Sequence, residues 1–361
     1  MQQKGFSSLE LTAIINELQS LVQGKIVQIY HQEKKELLFQ LHLSGKGKCL
    51  LKIVPGKFFC LTEKKEAPLK PSSFCLQLRK YLNNAFIKSI SQKDAERIVV
   101  FEIEKEEKYF LIIELFSKGN LVLTDKNYLV IGALEQQEWK ERSTKIREQY
   151  VFPTPGFNWK AITELQLKKI LSKSEKKNLA TSLALEIGLG GLYAEEVCKV
   201  NAIDFKKLPK KVGDKEIKQI VKTIKEFLKK IEEPKGYLYE GHMVPFPLID
   251  LKPLLETKTF SEVVDKINPT EIISPYEKKI KTLQKMISEQ EEAVAKQEER
   301  IEFNKKKGEF IYEKYVPLQK LLEIVTELKK TKNWQEIAKE LQKEKKIKQI
   351  DLKNKKVTIE F

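Results

Sequence analysis

SLALEIGLGGLYAEEVCKV, residues Ser182 to Val200, is an apolar helical pattern that breaks at Gly188-Leu189-Gly190-Gly191 and restarts at once with Tyr193-Ala194-Glu195-Glu196. Glycines between two helices let the backbone turn with positive φ. They also leave amide N–H groups at the second helix start open to an anion such as a phosphate. Two arrangements satisfy the pattern: a helix-hairpin-helix gripping a nucleic-acid backbone at Gly188, Gly190 and Gly191, and an ordinary αα-hairpin with a glycine cap. The sequence on either side bears on the choice.

Toward the N-terminus, Ser7-Ser8-Leu9-Glu10 reads as a capping box opening an amphipathic helix with Leu11, Ile14, Ile15, Leu18, Leu21 and Val22, which Gly24 stops. Short β-branched and aromatic runs follow at 25–30, 36–43, 48–54 and 58–62, separated by turn formers. Pro71-Ser72-Ser73 starts a second helix with Phe74, Leu78 and Leu82 on one face and Gln77, Arg79 and Lys80 on or beside the other. Strand patterns resume at 86–90, 97–103, 109–116, 121–124 and 129–134. Residues 1–155 therefore read as a β-rich α+β domain. Phe152-Pro-Thr-Pro-Gly-Phe157 reads as a linker.

Residues 156–272 read as mostly helical, with helices near 159–171 and 213–232 flanking the glycine hairpin at about 175–205, and a small hairpin in 236–253. From Ile280 a heptad can be counted. Its first seam takes Ile280, Ile287, Val294, Ile301, Gly308, Tyr315 and Leu322, and its second takes Leu283, Gln290, Gln297, Asn304, Ile311, Leu318 and Val325. Residues 273–346 are thus read as a projecting coiled-coil arm, about 65–70 Å long over Ile280 to Val325 at 1.5 Å per residue. A charged surface helix without supercoil is the other reading. Pro317 is expected to kink it, since it removes a hydrogen bond to Glu313. Residues 347–361 alternate like two strands around Lys353-Asn354-Lys355. With no second long helix to return along the first, the chain reads as part of a larger or split architecture.

Composition narrows the classes. A formal charge of +16 on 361 residues favours a polyanionic partner, because each phosphate neutralised by Lys or Arg releases counterions. Lysine-rich solvated faces produce the same sum. Cys49, Cys60, Cys75 and Cys198 form no CxxC pair and read as reduced thiols. The three histidines, His31, His42 and His242, stand far from any second ligand, so neither a metal site nor a cofactor is expected. No phosphate loop, nucleophile elbow or HExxH motif occurs, and the chain does not read as an enzyme. With no charged-then-apolar leader and no long apolar run, it reads as cytoplasmic, without a membrane partner. Asp94-Ala95-Glu96-Arg97 is the one dense charged cluster at the mouth of a strand. Acids flanking Arg97 orient a guanidinium toward phosphate or base, or else decorate a solvated turn.

Together these residues resemble the NFACT family of ribosome-quality-control factors, which includes bacterial RqcH and eukaryotic NEMF, and especially its archaeal branch. The resemblance runs through Ser7 to Glu10, Gly24 to Tyr30, Pro71 to Leu82, Arg97 to Val99, Glu114 to Asn120, Gly188 to Glu196 and Ile311 to Tyr315. It implies an N-terminal domain similar to that of formamidopyrimidine-DNA glycosylases, a helix-hairpin-helix module and a projecting coiled coil. It further implies binding to a large ribosomal subunit carrying stalled peptidyl-tRNA, and recruitment of tRNA, typically alanyl, for template-free tailing of the nascent chain. The family's tRNA-contacting pair falls on Glu96 and Arg97, preceded by Asp94, and Arg79, Lys80 and Asn120 join the implied tRNA-binding set. Glu96 replaces the family's aspartate with a carboxylate one methylene longer, a departure that bears on tail elongation more than on binding. The family's NFACT-R domain is not in this sequence, which implies a separate NFACT-R-containing partner in trans. Three other readings compete. A base-flipping DNA glycosylase lacks support, since the chain opens Met1-Gln2-Gln3 without a four-cysteine zinc finger. A ribosome-docking RNA scaffold without tailing fits better, and a surface adhesin has no export signal behind it.

Overall fold

The computed structural model describes residues 5–32, 35–65, 71–139, 142–267, 275–341, 347–351 and 356–359. The chain divides into two compact units, Met1–Ile272 and Ile273–Phe361.

The first unit is α+β. Helix α1 (Ser8–Leu18) starts on the expected capping box, with Ser7 Oγ accepting from the Glu10 amide and Glu10 reaching back to the Ser7 amide. Alternating sequence then folds into β1 (Lys25–His31), β2 (Leu37–Leu43), β3 (Gly47–Val54) and β4 (Phe58–Thr62). Helix α2 (Ser73–Leu82) follows, and after it β5 (Phe86–Gln92), β6 (Ile98–Glu104), β7 (Lys108–Glu114), β8 (Asn120–Asp125) and β9 (Val130–Ala133). They form one antiparallel sheet in the order β4-β3-β2-β1-β5-β6-β7-β8-β9. Two meanders thus join where Lys25 of β1 pairs with Phe86 of β5. Phe74, Leu78 and Leu82 of α2 are buried, as their spacing predicts, while Gln77 Nε2 donates to the Ile131 carbonyl at 2.7 Å and ties the helix to β9.

Past the irregular 152–157 segment come a short 3₁₀ turn at Trp159–Ala161, α3 (Glu164–Lys173), α4 (Leu179–Leu185), α5 (Gly191–Val200) and α6 (Asp214–Lys230). A small sheet of β10 (Gly236–Tyr239), β11 (His242–Val244) and β12 (Leu255–Thr257) precedes α7 (Phe260–Ile267). One apolar core runs from Phe6 on the sheet side through Trp159, Tyr193 and Phe227 to Val264. The buried Lys52 ammonium is paired with Asp265 of α7, which also accepts from Thr62 Oγ1 at 2.8 Å. A buried cation needs such a partner because its desolvation is otherwise uncompensated.

In the second unit, α8 (Pro275–Glu313) runs 39 residues, followed by α9 (Tyr315–Thr331), α10 (Trp334–Leu341) and the pair β13 (Ile347–Asp351) and β14 (Lys356–Ile359). The interruption expected at Pro317 lies at Lys314, with φ −101 and ψ 19. Pro317 cannot donate to Glu313, so the helix breaks one turn earlier and Pro317 sits in the first turn of α9, where no N–H is required. The turn read at 353–355 and the boundary read at 272 lie outside the described residues.

Candidate nucleic-acid interface

The β5–β6 connection carries the charged cluster. Asp94 turns it with φ +53, and the Glu96 amide closes it on the Lys93 carbonyl at 2.9 Å. Aspartate adopts this left-handed conformation at lower cost than bulkier residues. Helix α1 then fixes the turn, since Ser8 Oγ donates to the Ala95 carbonyl at 2.5 Å while accepting from Trp159 Nε1 at 2.9 Å. Gln92 Nε2 donates to both Ser8 Oγ and the Glu96 carbonyl, at 3.1 and 2.8 Å.

The glycine hairpin arrives at the same place. Gly188 and Gly190 have φ of +85 and +87, and a Cβ on Gly190 would lie 3.6 Å from that of Ser7. Helix α5 starts on Gly190 with no side-chain cap. The Ala194 amide returns to the Gly190 carbonyl at 3.0 Å. The amides of Gly191, Leu192 and Tyr193 precede that first helical bond and lack an intrahelical acceptor. From below, Tyr193 donates its hydroxyl to Glu10 Oε1 at 3.0 Å, joining α5 to α1. Burial raises the Glu10 pKa above the ordinary carboxyl value, opposed by hydrogen bonds from Ser7 and Tyr193, and burial likewise raises the Tyr193 phenol.

Between these elements lies an open cavity of about 890 Å³, whose lining includes Ser7, Glu96, Arg97, Gly188, Gly190 and Gly191. Arg97 is exposed, and among the described residues nothing holds its guanidinium by hydrogen bond or ion pair. Glu96 does not pair with it: Oε1 accepts from the Gly156 amide at 2.6 Å, so the carboxylate pins the linker. Asp94 is exposed and does not line the cavity; its carboxylate lies 3.7 Å from Lys93 Nζ. Behind the turn Lys160 Nζ donates to Gln92 Oε1 at 2.7 Å, and burial lowers its pKa to about 8 against the opposing charge of Asp94. Chemically, the cavity offers a free guanidinium and a row of helix-start amides. That combination suits phosphate or a base edge.

The remaining sequence-derived residues lie elsewhere. Asn120 requires correction: it is buried, its Oδ1 accepts from the Leu121 and Glu135 amides at 2.9 and 3.0 Å, and its Nδ2 donates to the Glu135 carbonyl at 2.8 Å. Its polar capacity is thereby committed to holding the β8–β9 edge, which leaves nothing for a ligand. Arg79 does not line the cavity; its Nε donates to the Ile29 carbonyl at 2.7 Å and its guanidinium lies 5.6 Å from the Tyr30 ring. Lys80 is exposed on the same helix, over Tyr81. Sequence reasoning missed Ser8, Trp159 and Tyr193 as builders of the site. Only the second serine of Ser7-Ser8, one hydroxyl more than a cap needs, offered a signal.

Among the described residues no group of His, Cys, Asp or Glu is arranged to hold a metal, and no helix is long and apolar enough to cross a membrane.

Comparison with known proteins bears on the whole chain. The family described as NFACT N-terminal and middle domains matches residues 7–360. The archaeal Rqc2 homolog aRqcH of Methanocaldococcus jannaschii is 27% identical over 94% of this chain and 54% of its own length. The ribosome quality control complex subunit NEMF of Homo sapiens is 27% identical over 71% of this chain and 25% of its own. The chain therefore spans about half of the first relative and a quarter of the second. The N-terminal part of the fibronectin/fibrinogen-binding protein from Streptococcus suis covers 73% of this chain and 99% of that one, with TM-score 0.60 and 22% identity, and so shares the fold.

Proposed function

We propose a function from one premise: this chain belongs to the NFACT family. It is the RNA-gripping portion of a ribosome-associated quality-control factor that binds the large ribosomal subunit carrying stalled peptidyl-tRNA. In this reading it recruits tRNA, alanyl by resemblance, for template-free C-terminal tailing. Its own residues bind and position, and bond making is left to the ribosome. The observation that carries the proposal is convergence. Arg97 and the glycine hairpin, 91 or more residues apart in sequence, line one cavity, as two grips on one ligand would.

Each residue takes a role from its geometry. The free Arg97 guanidinium presents several coplanar donors to a phosphate or base edge. The uncapped start of α5 adds amide donors and the positive end of its dipole, which supports reading the α4–α5 pair as a helix-hairpin-helix module. The apolar seam of α8 supplies a coiled-coil arm for docking. One observation favours the scaffold reading without tailing: the Glu96 carboxylate is held by Gly156 rather than aimed at Arg97.

Cosedimentation with purified large subunits, followed by sequencing of the tRNA recovered, tests the proposal. Arg97→Ala is expected to lower tRNA recovery about tenfold, the equivalent of roughly 1.4 kcal/mol, while leaving subunit attachment unchanged. Equal recovery from both proteins removes Arg97 from the site. Absence of the wild type from the subunit fraction at physiological salt overturns the proposal as a whole.

A further inference from the structure

A second, smaller cleft of about 410 Å³ lies beside the main cavity, with Ser117 lining both. Its floor is a layered aromatic and guanidinium surface. The Arg142 guanidinium lies over the Trp139 ring, 4.2 Å from its centroid, and 5.2 Å from the Phe116 centroid. Arg142 Nη1 donates to Glu114 Oε1 at 2.7 Å, and the buried Tyr150 hydroxyl donates to the same oxygen at 2.8 Å. Glu114 is only 3% exposed, so the pair is a held, desolvated element and not a mobile surface contact. The Trp139 amide donates to the Arg142 carbonyl at 2.9 Å, which fixes the indole relative to the guanidinium.

This arrangement uses arginine in a specific way. Its charge is matched by Glu114, so Arg142 is spent as an anion clamp. What remains is a planar group locking an indole that is 40% exposed at a cleft. Lysine 118 also lines the cleft, exposed and without an ion pair among the described residues. A rigid flat π-surface next to a free ammonium matches a nucleotide, whose base stacks and whose phosphate meets the cation. A quaternary-ammonium ligand fits poorly, because the guanidinium already occupies the space between the two rings.

We infer that Trp139, backed by Arg142 and Phe116, is a stacking subsite for one unpaired RNA base, adjoining the cavity that holds Arg97. This rests on the nucleic-acid reading of that cavity and extends it to a second contact point. The subsite tolerates any base, since every base has a π-face.

The test uses the full chain and a ten-nucleotide adenine RNA, with an abasic oligomer of equal length as control. Binding is followed by anisotropy and by quenching of indole fluorescence. Trp159 is fully buried and contributes little to the quench, and the signal of the half-buried Trp334 is removed by carrying Trp334→Phe in every protein compared. Trp139→Ala is expected to weaken the adenine RNA about 5- to 100-fold, with Trp139→Phe restoring most of the loss and the abasic oligomer indifferent to either change. Circular dichroism checks that the half-exposed position leaves the fold intact. If Trp139→Ala leaves adenine RNA affinity unchanged while Arg97→Ala lowers tRNA recovery, the stacking subsite fails alone. Equal effects of Trp139→Ala on adenine and abasic oligomers also overturn it, because a lost phosphate contact would then explain both. Quenching by a proline-rich peptide with none by RNA assigns the indole to a protein ligand and overturns it too. Failure of the wild type to bind RNA by any measure removes both readings.

Discussion

Helices α6 and α8 are written in the same alphabet of lysine, glutamate and aliphatic residues, and they end in opposite environments. In α6, Ile217, Ile220, Val221, Ile224 and Phe227 are all buried in the core of the first unit. In α8, Ile280, Leu283, Ile287, Val294 and Ile301 are between 47% and 66% exposed. A fully buried aliphatic side chain contributes about 1.5–3 kcal/mol, so α6 is held by tertiary packing. Helix α8 relies on its length and on i,i+4 pairs such as Lys306 with Glu302 at 2.8 Å. Apolar periodicity therefore reports that a helix has a face, and says nothing of what covers it.

The largest effect expected is on the covered face. Ile224→Ala should cost about 2–5 kcal/mol in urea denaturation, whereas Ile287→Ala in α8 should stay within about 0.5 kcal/mol. Equal losses would break the contrast between the two helices. Gly190→Val comes next: forcing a β-branched residue to φ +87 should cost about 1–3 kcal/mol and weaken RNA affinity by distorting the start of α5. Unchanged stability and affinity would reduce the hairpin to packing.

Lys160 gives a pH-dependent test with a defined sign. Its pKa falls from 10.5 in the unfolded chain to about 8 in the fold, so the folded state favours the neutral amine. That contribution is present above 10.5 and is lost as pH falls toward 8. Relative to Lys160→Met, the wild type should gain stability between pH 8 and 10.5, and parallel curves would show that solvent screens the amine. Smallest is Lys306→Ala, expected to lower stability by only about 0.3–0.5 kcal/mol in the thermal melt of α8. A loss of several kcal/mol there would mean that the helix is packed after all.

Much of the fold was legible because it follows local rules. Strand alternation and turn formers located all nine strands of the large sheet to within a few residues, and the capping box at Ser7 fixed the first helix. Arg97 and the glycines were also readable one at a time, from charge density and backbone freedom. Their meeting was not, since it depends on contacts such as Ser8 with Trp159, 151 residues apart, for which no local pattern exists. Asn120 shows the converse failure. A polar residue after Lys118-Gly119 reads as an exposed turn, yet its amide satisfies backbone groups that the sheet edge would otherwise bury unpaired. Arg79 similarly reads as a free cation on a helix surface until the Ile29 carbonyl claims it.

The β7–β8 turn and the β3–β4 turn touch through Gly119 and Gly56, both at positive φ, so closely that a Cβ on Gly119 would collide with the Gly56 backbone. Gly56 lines the larger cavity and Gly119 the smaller. Where these two glycines meet, the wall between the clefts is bare main chain, and the side chain shared by both sides is the small one of Ser117. If one RNA strand occupies both clefts, as proposed, the close backbone contact of Gly56 with Gly119 sets the spacing between the two places where it is held.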